Sequence, residues 1–188
     1  MEAAVGLLFV LGCLGAADIV LFHSVSHGIR SHEDSRLELW IHSLRGPIYA
    51  TLYIVLPNFT LSGGWVIGLF ALLVVDIVVT VFDFAVEGAS REKLGGLPPG
   101  EYVLHMLLGM TFGAFAAIAV ADSLPWLHES TAIAYQPCVD PIPQFVLALM
   151  AMLVFYSGVL DARAAWGMRN SRLASMAPDS RTLNHQAL

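Results

Sequence analysis

Long apolar runs separated by short polar stretches divide the chain into five hydrophobic segments, at about 3–22, 44–61, 64–84, 102–121 and 145–160. Most approach the roughly 20 residues an α-helix needs to cross the hydrocarbon layer of a bilayer. The pattern predicts an all-α integral membrane protein with five transmembrane helices, of which the second and fifth are the shortest. Four of them form an up-down four-helix bundle of two tandem helical hairpins, at about 3–61 and 64–121. An outer loop at 122–143, a fifth helix at about 144–166 and a tail at 167–188 complete a single domain covering 1–188.

Polar residues recur inside these helices at a fixed spacing. His23 and His27, Glu38 and His42, Asp83 and Glu87, and Glu101 and His105 are each four apart, the interval that places two side chains on one helix face. Ionisable groups in apolar helices are costly to keep and mark function. In an up-down bundle, pairs at the ends of the first and third helices and at the beginnings of the second and fourth lie at one depth. All eight residues can therefore converge.

The pairs also repeat. Glu-Leu-Trp-Ile-His-Ser-Leu-Arg-Gly at 38–46 and Glu-Tyr-Val-Leu-His-Met-Leu-Leu-Gly at 101–109 share Glu-x-x-(Ile/Leu)-His-x-Leu-x-Gly. Phe22 and Gly28 bracket one pair as Phe82 and Gly88 bracket another, in the same order. Two hairpins in the same orientation imply a pseudo-twofold axis along the membrane normal, with the fifth helix outside it.

Composition agrees with a membrane location: 57% of residues are hydrophobic and 13% charged, and the mean hydropathy is +0.71. All nine Lys and Arg fall on one side of the five-helix topology. The positive-inside rule makes that side cytoplasmic, with the N-terminus outside and the C-terminus inside. The expected location is the plasma membrane, the inner one in a bacterium. The net charge of −6 and scattered arginines give nucleic-acid binding no support. Glu2 in place of a basic leader and Asp18 within the apolar run argue for a first helix that is retained.

Four imidazoles and four carboxylates without a nearby thiolate suit iron, manganese or zinc. Four carboxylates balance two divalent ions. The donors His23, His27, Glu38, His42, Asp83, Glu87, Glu101 and His105 thus suggest a dinuclear non-haem centre, di-iron first, with Glu38 and Glu101 as bridges and His42 and His105 on opposite metals. The plan resembles the ferritin-like di-iron and di-manganese carboxylate bundles, in which two helices supply single carboxylates and two supply Glu-x-x-His. Here the spacing is Glu-x-x-x-His, so the likeness is one of architecture. The pair His23 and His27 is also similar to one histidine box of the membrane desaturases and hydroxylases, whose His-x-x-His-His boxes are absent.

These features predict an oxidoreductase acting on a lipophilic molecule that enters from the bilayer, served by an electron donor or a partner membrane subunit. Two other readings use the same residues. His42 and His105 at equivalent repeat positions can ligate one haem b in an electron-transfer subunit. Acids such as Asp18 and Asp76 can extend a metal or proton transport route.

Several neighbours have expected supporting roles. Asp18 and Asp76 lie deeper than the pairs and suit ligand orientation or proton relay, and Arg45 suits a supporting carboxylate. Gly46, Gly109 and Gly113 suit close helix approach. Pro47 suits a kink or a late helix start. Glu38 has an alternative as an exposed partner of Arg36.

Overall fold

The computed structural model describes residues 1–176, less the side chains of 24, 26, 91, 94 and 170–176. The chain is mostly helical. Helix α1 (Glu2–Asp18) runs directly into a π-helical segment (Ile19–Ser26), and α2 (Arg36–Asn58), α3 (Gly64–Arg91), α4 (Pro99–Ser123) and α5 (Pro141–Met176) follow. Gly28, with φ of 55°, turns the chain out of the π segment in a left-handed conformation that glycine adopts without steric cost. Pro99 starts α4, where its missing N–H is no loss.

Among the described residues, four helical stretches are long and apolar enough to cross a membrane: Glu2–His23, Gly64–Ser90, Pro99–Trp126 and Pro141–Arg169. Their outward faces carry large apolar side chains such as Val78, Val81, Met110 and Met152, as expected of an integral membrane protein. Helix α2 is the exception among the five segments read from the sequence. It packs against α5 and α3 and buries one face, with Ile48, Tyr49, Leu52, Tyr53 and Leu56, while Leu37, Leu44 and Ile54 on the other face are exposed. A helix facing protein can carry the Arg, His, Tyr and Pro that lipid would penalise. It also starts at Arg36 and continues through Pro47, so the late start expected at that proline does not occur.

Helix α1 packs chiefly on α4, and α2 on α3 and α5. Leu8, Leu52, Leu56, Leu73, Phe115 and Leu147 belong to one apolar core shared by all five helices. The α2–α5 crossing is unusually close. A Cβ on Gly46 would lie 3.1 Å from the Val154 carbonyl oxygen, and one on Gly158 would lie 3.2 Å from the Ser43 carbonyl oxygen. Ser43 is four residues before Pro47, which has no N–H to return to it. The glycine on α5 thus approaches a carbonyl that the helix leaves open. Gly109 and Gly113 have nothing comparable, since a Cβ on either meets no atom within 4 Å. Of the three glycines expected to bring helices together, Gly46 does so within this chain.

Two features depart from the sequence-based outline. Phe59–Ser62 (β1), after α2, pairs antiparallel with Ala132–Tyr135 (β2) in the outer loop, in the register Phe59 to Tyr135 and Ser62 to Ala132. Helix α5 continues past the expected boundary at 166 to Met176. The rest of the expected tail, including Arg181, lies outside the described residues.

Candidate metal centre

At the end of the helices remote from β1 and β2, the π segment decides which side chains meet. In a π-helix the N–H bonds to the carbonyl five residues back, as the His27 N–H does to Phe22. Residues five apart therefore stack one above the other. Asp18 Oδ2 consequently lies 3.4 Å from His23 Nε2, where an α-helix would point the two apart.

Among the described residues, two groups of donors result. Asp18, His23, Glu101 and His105 form one, and His23, Glu38 and His42 the other. Within each group one ligand atom per residue lies within 4.8 Å of every other. His23 belongs to both, and its ring stacks on that of His42 with centroids 4.6 Å apart and planes 5° from parallel. The end of α1, the π segment, α2 and α4 together supply these residues. Glu38 and Glu101 are 1% and 0% exposed, so Glu38 is no surface partner of Arg36. Ser90 on α3 donates to the Glu38 carboxylate.

The remaining three of the eight expected donors lie alongside. Glu87 Oε2 is 3.4 Å from His105 Nδ1, while His105 Nε2 is 3.5 Å from Asp18 Oδ1. His105 therefore has a carboxylate at each ring nitrogen. His27 Nδ1 is 3.9 Å from Glu101 Oε2 but 3.0 Å from the Phe22 carbonyl oxygen, close enough for an Nδ1–H to donate there. Asp83 Oδ1 is 3.1 Å from His42 Nε2, and its Oδ2 is 3.4 Å from an Arg45 guanidinium nitrogen.

Arg45 joins this cluster to a second buried acid. Its Nε is 3.6 Å from Asp76 Oδ1, and Asp76 Oδ2 accepts a hydrogen bond from Tyr49 at 3.0 Å. Asp76 is thus an ion-paired carboxylate held between α2 and α3. Asp18, Glu38, Asp83, Glu87 and Glu101 of the cluster are buried as well. Closely spaced buried carboxylates are unfavourable unless cations or protons neutralise them. The arrangement suits a cation bound among imidazoles and carboxylates. Asp18, read from the sequence as a group that orients ligands or relays protons, stands within one of these groups beside His23 and His105, a proximity that α-helical spacing does not reveal because it depends on the π turn. No protein-family model, curated protein or solved structure matches the chain.

Proposed function

We propose that the protein is a membrane oxidoreductase built on a dinuclear non-haem metal centre, di-iron in its native form, that acts on a lipophilic substrate. The observation that carries this reading is the pair of donor groups that meet at His23 in a setting rich in buried carboxylate, with room for two adjacent cations of which His23, having one imidazole lone pair to give, ligates one. One position takes Asp18, Glu101 and His105, and the other takes Glu38 and His42. The donors fit divalent iron, manganese or zinc. Bound there, such a pair supplies Lewis acidity and redox chemistry. Asp83 and Glu87 hold His42 and His105, fixing ring orientation, as carboxylates do beside metal-ligating histidines.

The packing of α1 on α4 and of α2 on α3 supports the tandem-hairpin reading, because a twofold axis exchanges one pair for the other. The same reading sets the centre near the cytoplasmic boundary of a plasma membrane, within reach of lipophilic molecules and a soluble or membrane-bound electron donor. A haem between His42 and His105 is disfavoured by the carboxylates at both nitrogens of His105. A transport route is disfavoured by the apolar plug of Leu8, Leu52, Leu56 and Phe115 between the centre and the β1–β2 end.

Elemental analysis of detergent-purified protein, with an optical spectrum, tests the proposal. Two metal ions per chain are expected, falling in Glu101→Ala and Glu38→Ala variants. Metal-free protein, occupancy unchanged in both variants, or sharp Soret and alpha bands would overturn it.

A further inference from the structure

The function proposed above leaves the fifth helix and the Arg30 segment without a role. Between the π segment and α5 lies a cavity of about 210 Å³ lined by Ile19, His23, Ile29, Arg30 and Asp161. One of its walls is His23, the residue common to both donor groups. Another is an ion pair: Arg30 Nε donates to Asp161 Oδ1 at 2.6 Å, and a second guanidinium nitrogen donates to Ser157 on α5 at 2.9 Å. Asp161 is 6% exposed. The pairing cancels the two charges, and Ile19 and Ile29 supply apolar surface. Such a cavity selects against ions, and its volume is below the roughly 300 Å³ at which pockets begin to hold drug-sized ligands.

We infer that this cavity is the port by which a small uncharged molecule of dioxygen size reaches the metal centre at His23, with the Arg30–Asp161 pair anchoring α5 as its outer wall. The inference rests on the metal-centre reading for the port's destination, and on the cavity alone for its existence. The lipophilic substrate would then use a different approach.

Two measurements on the full chain in detergent test it. Nitric oxide serves as the probe on ferrous-loaded protein. Ile19→Trp should slow its association at least tenfold with metal content unchanged, whereas Val20→Trp, on the outward face, should leave the rate as it was. Equal rates in Ile19→Trp and the parent protein would overturn the port. The second arm needs no metal. In a Cys13→Ser/Cys138→Ser background, Ile19→Cys should react with iodoacetamide, a small uncharged thiol reagent, at least tenfold faster than Val20→Cys. Equal or slower labelling at 19 would overturn the port even where the bound metal is confirmed. Protein that binds no iron but labels selectively at 19 would sink the metal-centre reading and leave the cavity standing.

Discussion

Asp18 and His23 stand one π-helical turn apart, with the carboxylate 3.4 Å from the imidazole Nε2. Their contact joins the buried end of α1 to the two donor groups, and it defines the first prediction. Asp18→Asn keeps the shape and removes the charge and one donor oxygen. Metal affinity should fall at least about tenfold, the lower range seen when supporting carboxylates are removed from metal sites. Competition with a chromogenic chelator measures it. Unchanged affinity would remove Asp18 from the centre.

The π turn behaves as one extra residue in an α-helix, so removing that residue should preserve the facing of Asp18 and His23, then four apart. Deletion of Val20, which is 56% exposed, should leave metal affinity within about threefold. Insertion of an alanine beside it should abolish binding, since one added residue turns the preceding helix by about 100° relative to the site. The two variants acting alike would count against the π register.

The glycine contact between α2 and α5 predicts a difference between Gly46 and Gly109. Gly46→Leu must push against the Val154 carbonyl and should cost about 1–3 kcal/mol, the range for overpacking. Gly109→Leu meets open space and should change stability little. Denaturant titration in micelles compares them, and equal losses would contradict the close crossing.

Arg45 pairs with Asp76 and Asp83 in the interior. Arg45→Met should cost about 3 kcal/mol, as removal of one member of a buried ion pair leaves an uncompensated charge. Adding Asp76→Asn should restore part of that loss. A double variant no more stable than the single would show that Asp76 is not the charge at issue.

Metal removal supplies the last test. A ligand that binds only the folded state stabilises it by about 2.7 kcal/mol at a hundredfold excess over its dissociation constant. Chelated protein should therefore unfold at a lower temperature, and adding back Fe(II) or Mn(II) under anaerobic conditions should reverse the shift. Coincident melting curves would argue that the carboxylates are neutralised by protons instead.

Much of the helical plan is legible in the chain because apolar length and four-residue spacing are local properties. Four apolar helices follow from runs of Leu, Val, Ile and Ala, and Glu38, His42, Glu101 and His105 follow from periodicity. Helix α2 is harder to read as a span. Its polar residues face protein, a fact about neighbours distant in sequence. The β1–β2 pairing is invisible for the same reason, since Phe59 and Tyr135 meet only after α3 and α4 have returned the chain.

The sequence alone determined that ionisable residues occupy matching ends of apolar helices, because the cost of placing them there depends on residue type and helical position. Tertiary structure decided which of them meet. It brought Asp18 to His23 through a π turn, made Arg45 the partner of Asp76 and Asp83, and seated α5 on Gly46. Each of these depends on backbone hydrogen bonding or interhelical distance, quantities that four-residue spacing does not encode.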